Sequence, residues 1–461
     1  MHRIAIIGAG SVTFAKTIVN DILFCDPFKN AEIRLMDIDS DRLDMATKTM
    51  ETVAKIRGAQ CRFVSTLDRV QAIDGADFVV TMIQVGGDAA TNVDFDVCRK
   101  HGLKLAIGDS MGIPGVARAL RNAPVMLDLC HEMERHCPKA ILLNYTNPMG
   151  MNCGTLLRGS KIQTVGLCHG VFGTARKLAG FIGADFNRVR YLCAGINHMA
   201  FFLKYEVDGR DAYPDIRRAF DTTHKDEEKV RQEVFRRLGY FMTESSYHLS
   251  EYLPWFIKSD ALIEEYDIAV DEYLLRSAEN KEIYEKIAQA FKDGKNVYVG
   301  ETEGIVFTPR SRMRRGRGEP GELTANFRVE NKASSEYGSH IMNAVATGKP
   351  FVFNGNILNR GEIENLPRGA CVEVPCVADK NGIQPTHIGE LPPQCAALIQ
   401  TNLNVQELAV RAILEQNRDY LIHAALMDPL ASAVLSTKPI VALMDELLEA
   451  HRGLIPQWCQ K

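Results

Sequence analysis

The sequence predicts an α/β protein: an N-terminal doubly wound parallel sheet followed by a C-terminal mixed α+β domain. Two observations carry this. Short apolar runs alternate with helix-period segments through the first half, and the first of these runs ends in a glycine turn that opens a helix. Apolar strands separated by helices imply parallel strands covered on both faces. In order, "RIAIIGAG" reads as strand then turn, "SVTFAKTIVNDILF" as helix, "AEIRLMDID" as strand and "DRLDMATKTMETVAKIR" as helix. "CRFVSTLD", "DFVVTMIQVGG", "AILLNYTNP" and "KIQTVGLCHG" supply further strands. This domain is expected over residues 1–195, and the remainder, 196–461, forms the second.

In that second part "DEEKVRQEVFRRLGYF" and "YLLRSAENKEIYEKIAQAF" have helical spacing. "ASSEYGSHIMNAVATG" opens another helix with Ser334 or Ser335 near its N-cap. "PFVFNGNIL", "GACVEVPCVAD" and "GIQPTHIGEL" read as strands, and the chain from "PPQCAALIQ" onward as helices. The stretch at about 300–326 is rich in Gly, Arg and Glu and is expected to lack regular structure.

At 461 residues the chain exceeds the usual size of a single core, so two closely joined domains are expected. With 46% hydrophobic and 24% charged residues and a net charge of −4, the chain has the composition of an ordinary globular protein. That charge argues against nucleic acid as the main partner. No signal peptide or membrane span is read in "MHRIAIIGAG", so a cytoplasmic protein with its 12 cysteines reduced is expected.

The chemistry-bearing residues start with "GAGS" at 8–11. Gly8 permits the tight turn, Gly10 lets a pyrophosphate approach the backbone, and Ser11 leads into a helix N-terminus. The third glycine of this Rossmann-like fingerprint is replaced by Thr13. "LMDID" ends the second strand, so Asp37 can accept from a ribose diol, and an acid there favours NAD over NADP. Gln84, after the strand "DFVVT", is counted with this cofactor set.

"QTVGLCHGVFG" ends a strand with a thiol, Cys168, in a glycine-rich turn, and "AGINHMAFF" offers His198. A thiolate and an imidazole from successive strand ends make a half-filled metal site with positions left for substrate oxygens. The alternative is a buried Cys acting as a small hydrophobe and a core His. "LLNYTNPMG" adds Asn144 and Asn147 at a strand C-terminus, where ligands sit in such sheets, although an Asn-Pro turn explains them equally.

Together, "GAGS", "LMDID", "NYTNPM", "GLCHGV", "GINHMA", "GYFMTESSYHLSEYLPWFIK" and "SSEYGSHIMNA" resemble glycoside hydrolase family 4, the glycosidases that need NAD and a divalent metal. The likeness is greatest to the α-galactosidase branch and covers all but about 295–330. The resemblance implies a reaction in which NAD⁺ takes hydride from carbon 3 of the sugar. A base then removes the acidified proton on carbon 2, the metal stabilises the enediolate, the glycosidic oxygen leaves, water adds, and the hydride returns. It also implies Cys168 and His198 as metal ligands, Asn147 as a substrate residue, Tyr337 as the base and His169 either as the general acid or only as a hydrogen-bonding partner of the substrate. The metal implied is Mn²⁺, although ligand chemistry alone would place zinc, nickel and cobalt ahead. Dimers or tetramers are expected, and an exposed thiolate ligand would be sensitive to oxidants.

Relatives carry "GPGG" before "RALR", where this chain has Ile113-Pro114-Gly115. The arginine-rich stretch is a second departure. It reads as a solvated loop, as a contact with a neighbouring subunit, or as the source of an arginine such as Arg312 or Arg315 that pairs with a substrate carboxylate. The last reading would make the enzyme an α-galacturonidase or α-glucuronidase. A plain NAD-dependent dehydrogenase would leave Cys168 and His198 unused, and a sugar- or redox-sensing binder would not turn over.

Overall fold

A computed structural model describes residues 1–293 and 332–460, with the backbone of two short strands between them. The arginine-rich stretch, with Arg312 and Arg315, lies outside the described residues. Among the described residues no helix is long and apolar enough to cross a membrane.

The first six strands are Arg3–Ile7 (β1), Glu32–Met36 (β2), Arg62–Thr66 (β3), Phe78–Thr81 (β4), Ile141–Asn144 (β5) and Gln163–Leu167 (β6). All pair in parallel, in the order β3-β2-β1-β4-β5-β6. Alternate side chains enter separate cores. Ile4, Ile6, Val80 and Leu143 join one apolar cluster, while Ala5, Ile7, Val79 and Leu142 join another. That alternation explains why β4 and β5 read as unbroken apolar runs: both of their faces are covered by helices. The helices predicted after β1 and β2 form at Val12–Leu23 and Ser40–Arg57. The second is capped by the Asp39 carboxylate, which accepts from the N–H groups of Asp41 and Arg42.

The sheet does not stop at β6. Val189–Ile196 (β7), Met199–Val207 (β8) and Arg210–Asp211 (β9) form an antiparallel meander. Tyr298–Val299 (β10) and Glu303–Gly304 (β11) pair only with each other. Phe351–Leu358 (β12), Cys371–Asp379 (β13) and Gly382–Pro385 (β14) follow. β12 pairs antiparallel with β6 and β13, and β13 meets β7 at Glu373↔Gly195, so the late strands lie between β6 and β7 in one continuous sheet. The expected boundary at residue 195 falls at the end of β7.

One local expectation is corrected. The helix Gly338–Thr347 starts after Tyr337, not after Ser334 or Ser335. Ser334 is drawn away: its N–H donates to Asp21 Oδ1 at 2.9 Å and its hydroxyl donates to the same carboxylate. Asp21 sits in the first helix, and this contact ties the segment before Tyr337 to the parallel half.

Candidate active site

At the C-terminal end of β1, Gly8 takes φ 90° and its N–H donates to the Met36 carbonyl at 2.9 Å. The N–H of Gly10 donates to Asp37 Oδ2 at 2.8 Å, and a Cβ on Gly10 would stand 2.6 Å from that oxygen. Ser11 occupies the N-cap of Val12–Leu23 without a side-chain capping bond, leaving the helix N-terminus free to face an anion. A side-chain-free turn, an open helix N-terminus and a carboxylate at the end of β2 fit a dinucleotide. Gln84 lies further along the same strand ends, where its amide donates to Thr91 Oγ1 at 3.0 Å.

Cys168 directly follows β6, and His198 stands in the turn joining β7 to β8. Two strands separate β6 from β7 in the sheet, yet the two side chains meet. A third joins them: one ligand atom each from Cys168, His198 and Glu244 lie within 4.8 Å of one another. Gly170 makes this possible, because a Cβ there would stand 2.8 Å from Glu244 Oε1 and 3.3 Å from Cys168 Sγ. His198 and Glu244 both hold left-handed backbones, φ 66° and φ 68°, at a cost of about 1–3 kcal/mol each. The Nδ1 of His198 lies 3.1 Å from the Tyr252 hydroxyl, which fixes the ring and turns Nε2 toward Glu244 at 3.7 Å. One sulfur, one nitrogen and one oxygen donor fit a divalent cation.

The electrostatics agree. Burial pushes the Glu244 carboxyl up, but His198 and His248 outweigh it and hold Glu244 below its ordinary value. Burial and the neighbouring Glu244 push the Cys168 thiol well up. Cys168 is half-buried rather than exposed, and the Gly170 N–H donates to its Sγ at 3.4 Å.

His169 is largely exposed, with Nδ1 3.2 Å from Glu336 Oε1. That partner raises its pKa and favours the imidazolium. Tyr337, next to Glu336, is 6% exposed and packs on Phe351 and Phe353. Burial pushes its phenol far up, and Tyr191, Glu373 and Cys168 add to the shift.

Asn147 donates through Nδ2 to Asp109 Oδ2 at 3.2 Å. Asn144 instead is fully buried and braces its own turn, accepting from Thr81 Oγ1 at 3.0 Å and the Thr146 N–H at 2.8 Å. Ile113 and Pro114 are buried inside the helix Gly112–His136, the Ile113 N–H donating to Asp428 Oδ2 at 2.8 Å. The part of that segment facing the site is Asp109.

Four site groups escaped the sequence reading as well as Glu244's role: Asp109, His248, Glu251 and Glu373. His248 Nδ1 lies 3.6 Å from Glu244 Oε2, and its Nε2 lies 4.0 Å from Asp109 Oδ1. Gln84, Asp109 and His248 border a cavity of about 180 Å³. Glu251 accepts from the N–H groups of Ala106, Ile107 and Gly108 at 2.8 to 3.0 Å, clamping the loop that carries Asp109. Glu373 is buried on β13 with its carboxyl pushed up to about 8 by desolvation.

A doubly wound dinucleotide fold, extended by an antiparallel half that brings a Cys/His/Glu cluster to the same strand ends, defines a class of cation-assisted enzyme. The models for "Family 4 glycosyl hydrolase" and "Family 4 glycosyl hydrolase C-terminal domain" match residues 3–184 and 193–431. The chain belongs to glycosyl hydrolase family 4, and it is a glycosidase. It is 38% identical to an α-galactosidase of Bacillus subtilis, over 99% of this chain and 100% of the relative. It is 32% identical to an α-galactosidase of Rhizobium meliloti, over 99% and 89%. An α-galacturonidase of Lachnoclostridium phytofermentans is 25% identical over 99% and 97%. Among solved structures, a 6-phospho-α-glucosidase from gut microorganisms, in complex with NAD and glucose-6-phosphate, superposes with TM-score 0.79 at 18% identity, over all of both chains. A 6-phospho-β-glucosidase of Thermotoga maritima, with manganese, NAD⁺ and glucose-6-phosphate, gives 0.76 at 19% identity, covering 98% of this chain and 99% of that one. Family members thus work with NAD and Mn²⁺, and both groups fit the residues described above.

Proposed function

We propose that this chain is an α-galactosidase that cleaves its substrate by transient oxidation at carbon 3. The observation that carries the reading is the meeting of Cys168, His198 and Glu244 at the same strand ends as the dinucleotide turn. The greater identity to α-galactosidases than to an α-galacturonidase supports the sugar.

Residues 1–195 bind NAD through Gly8, Gly10, Ser11, Asp37 and Gln84, and residues 196–461 complete the substrate and cation site. Cys168, His198 and Glu244 hold a divalent cation, Mn²⁺ by relationship. When bound, NAD⁺ supplies a hydride acceptor and the cation supplies positive charge against sugar oxygens 2 and 3. Asn147, backed by Asp109, orients the sugar hydroxyls. Tyr337 removes the proton on carbon 2. Its buried phenol is a poor base unless positive charge is near, so proton abstraction requires both cofactors in place. His169, whose pKa is raised by the adjacent Glu336 carboxylate, protonates the departing glycosidic oxygen. Water then adds at carbon 1, and the hydride returns to carbon 3, so no NADH accumulates.

The test is an add-back assay on enzyme stripped of metal and nucleotide, with NAD⁺, Mn²⁺ and a thiol reductant returned singly and together. Release of nitrophenol from nitrophenyl α-galactoside only with all additions, without net NADH, supports the reading. Hydrolysis indifferent to NAD⁺ sinks it.

A further inference from the structure

One face of the helix Glu272–Lys292 runs from the cavity beside Asp109 and His248 to the side chain of Arg42. Tyr273, Arg276, Ser277, Asn280 and Tyr284 follow one another at helical spacing, so they share that face. The first four line the cavity of about 180 Å³ opposite Asp109 and His248. With roughly 30 Å³ per water in the liquid, that space suits a single pyranose rather than an oligosaccharide.

The helix is anchored to the loop that carries Asp109. The N–H groups of Asp271 and Tyr273 donate to the carbonyls of Leu105 and Ala106 at 2.9 and 3.0 Å. Arg118 donates to the Tyr273 hydroxyl at 3.2 Å. At the other end, the Arg42 guanidinium lies 4.3 Å over the Tyr284 ring. A Cβ on Gly10 would stand 2.8 Å from Arg42 Cβ and 2.6 Å from Asp37 Oδ2, so Arg42, whose guanidinium stacks on Tyr284, is rooted beside the carboxylate expected to take the ribose.

The cavity wall also has a sign. Asp88 and Asp109 border it, and among the described residues the one Arg or Lys that lines it, Arg276, is engaged by Glu272, with Nε 3.0 Å from Oε1. A carboxylate on the sugar would meet like charge there.

We propose that this helix face is the specificity wall of the enzyme. Ser277 and Asn280 read the hydroxyls of a neutral pyranose, and Tyr284 with Arg42 closes the dinucleotide at its ribose end. The inference rests on the glycosidase reading above and deepens it: the wall takes neutral sugars and turns away uronates.

Calorimetry on the full chain with Mn²⁺ and saturating NAD⁺ measures binding of galactose and galacturonate, and a separate titration measures NAD⁺ alone. Ser277→Ala and Asn280→Ala should each weaken galactose binding about five- to ten-fold and leave NAD⁺ binding unchanged. Tyr284→Ala should weaken NAD⁺ binding about five-fold and leave galactose binding unchanged at saturating NAD⁺. Galacturonate should bind the unaltered enzyme at least about ten-fold more weakly than galactose. Galactose binding that ignores Ser277→Ala and Asn280→Ala overturns the proposal. So does a joint loss of both ligands in all three variants, which is what a helix of merely structural importance would give, and so does galacturonate binding as tight as galactose or tighter. Failure of any sugar to bind overturns it as well. Sugar binding that follows the pattern without α-galactoside hydrolysis counts against the proposed activity and leaves the wall standing.

Discussion

The parallel half and the antiparallel half build their parts of the site in different ways. In the parallel half the dinucleotide turn is almost contiguous: Gly8 to Ser11 and Asp37 come from two neighbouring strand ends. In the other half the cation cluster is assembled from three distant segments, Cys168 after β6, His198 in a hairpin turn and Glu244 before the helix Ser246–Tyr252. The pieces meet only because β12 and β13 fill the sheet between β6 and β7 and because Gly170 leaves room for a carboxylate. A contiguous site tolerates disturbance elsewhere; an assembled one depends on every neighbour that sets its geometry.

That difference predicts separable losses. The largest should follow Glu244→Gln or Cys168→Ala, with kcat falling at least about 100-fold while NAD⁺ binding, read by fluorescence titration, stays intact. Asp37→Ala should do the reverse, raising the Kd for NAD⁺ about 10- to 100-fold while Mn²⁺ binding is unchanged. If either variant loses both cofactors, the two halves are not separable in this way. Gly170→Ala should weaken Mn²⁺ about ten-fold with NAD⁺ unaffected, because the added methyl displaces Glu244.

The smallest effect on activity concerns the seam between the halves. Asp21 is 1% exposed and its pKa is raised to about 6, chiefly by burial. The native state then holds this proton to higher pH than the unfolded chain does. Its contribution to stability is therefore greatest below about pH 4 and is lost as pH rises to about 6, by up to ~3 kcal/mol. Asp21→Asn should remove that part of the pH dependence in chemical denaturation and leave kcat nearly unchanged.

The same contrast explains what was legible in the sequence. The glycine turn and Asp37 were legible as candidates from their immediate neighbours, and Cys168 and His198 from their strand-end positions together with the family resemblance. Glu244, Asp109, His248 and Glu373 were not, because their roles come from contacts across long sequence separations. The one available signal was the polar pair Glu244 and His248 four residues apart, flanking Ser245, which caps the helix. The place of β12 and β13 inside the sheet was not legible either, since strand order is fixed by tertiary pairing rather than local pattern. Ser334 was read as a cap because capping is a local rule, and a carboxylate 313 residues away in the chain won the contact.

The proposed route breaks the glycosidic bond by way of carbon 3 and carbon 2 of the sugar. The direct measurement is the hydrolysis of nitrophenyl α-galactoside in deuterium oxide, with the released galactose examined by NMR. Solvent deuterium should appear at carbon 2, introduced when the proton that the proposed base Tyr337 takes is replaced from solvent. Galactose that keeps its original proton at carbon 2 throughout, at full conversion, would contradict it.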